Sequence, residues 1–140
     1  MKKNFRLDYM NASNLTIKAL SLGIPKGLIR IVLRLSNEGY DLGRKASLDN
    51  KDPFVDSYGK ANENATRYLN EDQIQQLSYQ SKINGIPENL VPATLRVIES
   101  AYLLGFADQF FGLPENHSRY YLRVDLLTRI AACKKKVATQ

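Results

Sequence analysis

The side chains that most often carry nucleophilic or metal chemistry are scarce in this chain. Its 140 residues contain one cysteine, Cys133, and one histidine, His117. A zinc site needs several such ligands at close spacing, and a catalytic cysteine needs a basic partner. There is also no glycine-rich phosphate loop, Walker motif or dinucleotide fingerprint. We therefore expect no metal and no cofactor.

A set of polar residues nevertheless occurs twice in the chain. Paired carboxylates can perform acid–base catalysis or hold a metal. The structural interpretation is stronger, because an Asn followed by a hydroxyl residue caps a helix, and an Asp pairs with an Arg across a turn. We therefore expect a protein that is not an enzyme. The two sets are Asp56, Glu63, Asn64 and Arg67, followed by Asp108, Glu115, Asn116 and Arg119.

The positive charge is concentrated at the two ends of the chain. The formal net charge is +6. Residues 2–34, which include Lys2 and Lys3, hold seven basic residues against one acid, and residues 119–140 hold six against one. Between them, residues 35–118 hold twelve acids against seven bases. Such basic ends favour a polyanionic partner, and a fold that brings them together would form one footprint.

The basic residues of the C-terminal end lie in a segment, from about 118 to 136, that is predicted to be helical. Each Lys or Arg placed on a phosphate adds affinity through counterion release, so the segment is a candidate nucleic-acid contact. The alternative is a solubilising tail whose cations offset the helix dipole. The residues are Arg119, Arg123, Arg129, Lys134, Lys135 and Lys136.

Residues 16–35 resemble the general bacterial helix-turn-helix pattern. Ala19 stands at the small position, Gly23 follows four residues later at the turn, and Ile29 and Val32 stand at core positions of the second helix. A small residue lets the two helices approach closely, and the glycine permits the turn. The resemblance implies a second helix that enters the DNA major groove, with contacts to phosphates or base edges from Lys26, Arg30 and Arg34.

The chain departs from that pattern at two positions and repeats its turn elsewhere. Lys18 stands where an apolar residue is usual, and Gly27 falls inside the expected second helix. In the second occurrence of the turn, Pro92 stands where Arg30 does in the first. The alternative is therefore that the Gly-Ile-Pro turn only connects helices.

An internal repeat organises the chain. Residues 23–43 align without gaps on residues 85–105 at an offset of 62, with nine of 21 positions identical, and residues 54–68 align on 106–120 at an offset of 52, with six of 15 identical. Random matches would give about one identity over the first stretch. We therefore predict a tandem duplication, covering about 12–73 and 74–130, with a polar insertion at 44–53. The chain would form one pseudo-symmetric domain, residues 1–140, because short repeats bury a face against each other.

Hydrophobic periodicity predicts an all-α fold. Apolar residues recur at three- and four-residue steps from Val91 to Phe111, which is typical of a mostly buried helix. A similar run begins at Leu28, and we expect Gly39 and Gly43 to end or break it. Asn70 and Gln73 predict a capping box before a helix over 71–82. The one candidate strand is short and lies near residues 5–9.

These features favour binding over catalysis. We expect a small nucleic-acid-binding protein, with DNA favoured over RNA, acting as a regulator or as a subunit of a larger assembly. It is expected in the cytoplasm, because the chain opens with no signal peptide and has no uncharged apolar run of spanning length. The alternative is a helical protein-interaction module without nucleic-acid contact. Its docking surface would be aromatic and would comprise Tyr102, Phe106, Phe110 and Phe111.

Overall fold

Every secondary-structure element in the described part of the chain is helical. The computed structural model describes residues 6–49 and 69–117. Neither range contains a strand. Of the strand predicted near residues 5–9, residues 6–8 form none, and Tyr9 already begins α1. The all-α prediction is confirmed for these residues. The α-helices are α1 (Tyr9–Ser21), α2 (Ile29–Leu48), α3 (Glu71–Ile83) and α4 (Val91–Phe110), and short 3₁₀ turns at Lys26–Leu28 and Glu88–Leu90 lead into α2 and α4.

The four helices form two units of the same plan. Each unit has a 13-residue helix, a connection that contains Gly-Ile-Pro, a three-residue 3₁₀ turn and a 20-residue helix. In both units the glycine has a positive φ, +88° at Gly23 and +99° at Gly85, which favours glycine over other residues. The amides of Gly23 and Ile24 donate to Leu20 O and Ala19 O, which is the Schellman arrangement that closes a helix.

The helix starts follow the predicted capping chemistry. The Asn70 side chain accepts from the backbone amide of Gln73 at 2.8 Å, and the Gln73 side chain accepts from the amide of Asn70 at 3.0 Å. This reciprocal pair is the capping box predicted from the sequence. At the start of α1, Asp8 accepts from the amide of Asn11 at 2.9 Å, so each unit opens with a capped helix.

The core of the fold is the contact between α2 and α4, where glycines let the two backbones touch. A Cβ atom at Gly43 would overlap the backbone carbonyl of Tyr102, and a Cβ atom at Gly105 would overlap the backbone carbonyl of Tyr40. Gly39 and Gly43 were expected to end the helix, and that expectation is wrong. Both glycines lie within α2, because packing against α4 compensates for their low helix propensity. Residues 44–48, expected in a polar loop, also belong to α2.

Helix α4 is apolar over most of its circumference because it is the central element of the core. With the 3₁₀ turn before it, it forms a stretch at 88–110 that is long and apolar enough to cross a membrane. In the folded chain, 78% of an apolar 18-residue window within that stretch is buried. Its burial matches the sequence prediction of a mostly buried helix, and length and composition alone do not distinguish such a core helix from a membrane span.

Candidate nucleic-acid interface

Lys26, Arg30 and Arg34 follow one another at four-residue steps along the start of α2. Lys26 lies on the 3₁₀ turn, and all three side chains are exposed. Because residues four apart lie on one face of a helix, Arg30 and Arg34 project from the same side of α2. Within the described residues, neither of these arginines forms an ion pair with a carboxylate. The face therefore carries positive charge that is available to an external anion.

Arg30 and Arg34 border a groove of about 560 Å³ that a third arginine, Arg6, also lines. Arg6 precedes α1 and lines this groove together with its neighbour Leu7. Sequence reasoning had not singled out Arg6, because no local pattern connects it with residues on α2. The only signal was its membership of the basic N-terminal end. The remaining lining residues are Ala12, Leu33, Asn37, Glu38 and Asp41.

The charge of the groove is basic near the start of α2 and acidic further along the helix. Glu38 and Asp41 lie one and two turns beyond Arg34. The carboxylate of Asp41 is 2.7 Å from the ammonium group of Lys45, so its charge is compensated within α2. The first turn of α2 contains no acidic residue. The positive end of the helix dipole and the arginines therefore act together at the start of the groove.

The connection between α1 and α2 agrees in length with a helix-turn-helix. Four residues, 22–25, separate α1 from the 3₁₀ turn that runs into α2, and such turns have about three or four residues. Gly27 was expected inside the second helix and instead lies in the 3₁₀ turn. Lys18, at a position that is usually apolar, is half-buried, and its ammonium group donates to Ser100 Oγ on α4 at 2.5 Å. Because α3 and α4 are joined by a second connection of the same form, such a turn is not by itself a sign of DNA reading.

The buried hydroxyl of Tyr40 is the centre of a polar network between α2, α4 and the loop after α4. It donates to Asp108 Oδ2 at 2.5 Å and accepts from the backbone amide of Asn116 at 2.8 Å. Arg44 Nη1 lies 3.3 Å from the same oxygen. Burial is the main cause that raises the pKa of Tyr40 well above its ordinary value, so the hydroxyl remains a donor.

The duplicated polar set is described only in its second occurrence. Asp108, Glu115 and Asn116 all take part in hydrogen bonds that join distant parts of the chain. No group of three or more His, Cys, Asp or Glu residues with the geometry of a metal site occurs among the described residues. The other members, Asp56, Glu63, Asn64, Arg67 and Arg119, lie outside the described residues.

The aromatic side chains expected to form a docking surface are mostly in the core. Tyr102 is 3% exposed and Phe106 is 1% exposed, because both point into the packed side of α4. Phe110 and Phe111 are partly buried, with ring centroids 5.0 Å apart in an edge-to-face arrangement. Tyr102 and Phe106 therefore form no surface in this fold.

Eight basic residues near the two ends of the chain lie outside the described ranges, as does Cys133. They are Lys2, Lys3, Arg119, Arg123, Arg129, Lys134, Lys135 and Lys136. Comparisons of the chain with models of protein families, with curated proteins and with solved structures gave no match.

Proposed function

We propose that this protein binds nucleic acid, duplex DNA above all, through phosphate contacts made by the basic face at the start of α2. The observation that carries the proposal is the convergence of Arg30, Arg34 and Arg6 on one groove. Arginine forms bidentate hydrogen bonds with phosphate oxygens. Arg30 and Arg34 are four residues apart, about 6 Å along the helix axis, so they can engage one phosphate or two close ones.

The position of these basic residues supports a binding role over a structural one. Lys26 and Arg30 flank the N-terminus of α2, where the helix dipole disfavours cations. A solubilising or dipole-balancing role would place them at the other end of the helix. The same dipole attracts an anion, so a phosphate at this end gains from the side chains and from the helix.

The second unit offers an internal contrast, since it has the same fold plan without the same charge. At the offset of 62, Glu88 stands where Lys26 does, Pro92 where Arg30 does, and Arg96 where Arg34 does. Only one of the three basic positions is kept, so we assign the described part of the interface to the first unit. Arg96 is exposed, which makes it a matched control for Arg34.

We also propose that the two units arose by tandem duplication and form one pseudo-symmetric domain. The equal helix lengths, the paired glycines with positive φ and the reciprocal contacts of Gly43 and Gly105 support this origin. The basic segment 119–136 would add further phosphate contacts. A cytoplasmic, non-enzymatic role as a regulator or as a subunit of an assembly accompanies this proposal.

The alternative, a protein-interaction module, draws less support from the geometry. Since Tyr102 and Phe106 are buried, it would depend on Phe110 and Phe111. It predicts a stable protein complex that Phe110→Ser abolishes and that does not respond to salt as a DNA complex does.

A salt titration of the full chain tests the proposed function. Fluorescence anisotropy with a labelled duplex and a labelled single strand should show binding at about 50 mM salt, with log K falling linearly against log salt. The double variant Arg30→Ala, Arg34→Ala should reduce the slope by about one if the arginines share a phosphate and by about two if they contact separate ones, since each neutralised phosphate contributes about 0.9. Arg96→Ala should leave it unchanged.

Different outcomes assign or overturn the binding mode. If Arg30→Ala weakens binding to all sequences alike, the contact is to phosphate, and if it weakens some sequences more than others, Arg30 reads bases. Undetectable binding of both the duplex and the single strand at about 50 mM salt, where counterion release is most favourable, would overturn the proposal.

A further inference from the structure

Residues 6–8, which we call the N-terminal strap, are held by side chains from distant parts of the chain. Each backbone amide of the strap donates to one such side chain. Chain segments before the first helix are otherwise poorly ordered unless tied down, so three such bonds in succession need a reason. The donor–acceptor pairs are Arg6 N to Glu115 Oε1 at 2.6 Å, Leu7 N to Asn37 Oδ1 at 2.9 Å, and Asp8 N to Asn116 Oδ1 at 2.9 Å.

Asn116 is the anchor of this arrangement. Its side-chain nitrogen donates to the backbone carbonyl of Arg6 at 2.5 Å, so its amide group holds the strap on both sides of Leu7. The side-chain oxygen of Asn116, Oδ1, also accepts from Asn11 Nδ2 at 3.2 Å. The backbone of Asn116 has a φ of +60° and donates to the buried hydroxyl of Tyr40, which connects the anchor to the α2–α4 core.

The strap and the basic side of α2 line the same groove. Arg6 and Leu7 line it from the strap, whereas Arg30 and Arg34 line it from α2. The anchor itself is not among the lining residues and is 8% exposed. Asn116 therefore bonds to the strap without lining the groove.

We propose that Arg6 is a third phosphate-contacting residue and that Asn116 is the positioning residue that holds it in the groove. The inference rests on the proposed function and adds the strap to the site. A phosphate in the groove is contacted from α2 and from the strap at once. Because hydrogen bonds already hold the backbone of Arg6 in the free protein, less conformational entropy is lost on binding.

Two substitutions test the phosphate contact of Arg6 separately from the positioning of Arg6 by Asn116. Arg6→Ala removes the charge. Asn116→Gly removes the side-chain amide but keeps the backbone hydrogen bond to Tyr40 and the positive φ, which glycine adopts readily. His117→Ala is the matched control, because His117 is the next residue in the loop and its side chain is exposed.

The readout is the salt dependence of duplex binding by the full chain. Arg6→Ala should weaken binding about three- to tenfold at about 50 mM salt and reduce the slope of log K against log salt by about one. Asn116→Gly should weaken binding to a similar degree in the wild-type background and have no further effect in the Arg6→Ala background. His117→Ala should bind as the wild type does.

The outcomes distinguish failure of this inference from failure of the proposed function. If Arg30→Ala, Arg34→Ala weakens binding and Arg6→Ala does not, the inference is overturned and the function stands. Equal effects of Asn116→Gly with and without Arg6 overturn the positioning role. No binding by the wild type overturns both. If circular dichroism shows that Asn116→Gly is unfolded, Asn37→Ala, which releases the amide of Leu7, replaces it in the same cycle. Because Asn37 also lines the groove, only an effect that disappears in the Arg6→Ala background counts as positioning, and an equal effect in both backgrounds overturns that role.

Discussion

The hydroxyl of Tyr40 on α2 donates a hydrogen bond to the carboxyl group of Asp108 on α4, with 2.5 Å between the two oxygens. This bond crosses the main helix contact of the fold at a point that solvent does not reach, since Tyr40 is 0% exposed. It also lies next to the loop that holds the N-terminal strap, because the same hydroxyl accepts from Asn116. The network therefore joins the core to the wall of the candidate interface.

Tyr40→Phe should lower the free energy of unfolding by about 1 to 3 kcal/mol, because it removes buried hydrogen bonds and keeps the ring. Urea denaturation followed by circular dichroism measures the change. Tyr79→Phe on α3 is the matched control, since Tyr79 is exposed and should change stability little. Equal stability of the two variants would contradict the structural role of the network.

The same tyrosine predicts a decline of stability in alkaline solution. Burial raises the pKa of Tyr40 in the folded protein, whereas in the unfolded chain a tyrosine loses its proton near pH 10. Above about pH 10, the unfolded state therefore releases a proton that the folded state keeps, and the stabilising contribution falls as pH rises. Denaturation of wild type and Tyr40→Phe between pH 8 and about 11.5 should show their stability difference shrinking only above about pH 10. A difference that stays constant with pH would contradict the raised pKa.

The glycine contact between α2 and α4 predicts that the effect of a glycine-to-alanine substitution on stability depends strongly on the position of the glycine. Gly43→Ala would force a Cβ against the backbone of Tyr102 and should cost at least about 3 kcal/mol or prevent folding. At Gly27 a Cβ would meet no atom within 4 Å, so Gly27→Ala should be neutral or stabilise by up to about 1 kcal/mol. Thermal unfolding of both variants checks this difference, and similar melting temperatures would contradict the close approach.

The basic residues at the start of α2 predict opposite effects on stability and on binding. Arg30→Ala removes a cation from the positive end of the helix dipole and should raise the free energy of unfolding by up to about 0.5 kcal/mol. The same variant should bind duplex DNA more weakly. Chemical denaturation and anisotropy on one preparation measure both quantities. Loss of stability together with loss of binding would indicate a structural role instead.

Local patterns predicted the helices well where local chemistry determines them. The capping box at Asn70 and the end of α3 follow from side chains within a few residues, so the predicted helix over 71–82 begins at the same residue as α3 and ends one residue before it. The buried character of α4 likewise followed from its apolar periodicity. These features depend little on the rest of the fold.

Features that depend on distant contacts were missed. Gly39 and Gly43 have the low helix propensity of helix-ending residues, and only the approach of α4 turns them into packing positions inside α2. Tyr102 and Phe106 could lie on a surface or in the core by sequence alone. Arg6 and Arg30 line one groove, and the strap that carries Arg6 is bonded to side chains far along the chain, among them Glu115 and Asn116, which no local pattern indicates.

The most direct test of the nucleic-acid interface is a ¹H–¹⁵N correlation spectrum of the full chain, titrated with duplex DNA at about 50 mM salt, where counterion release most favours binding. We expect the shift changes to concentrate on the strap and on the start of α2, at residues 6–8 and 26–38, and the signals of Arg96 to stay in place. Absence of shift changes, or changes concentrated around Phe110 and Phe111, would contradict the account.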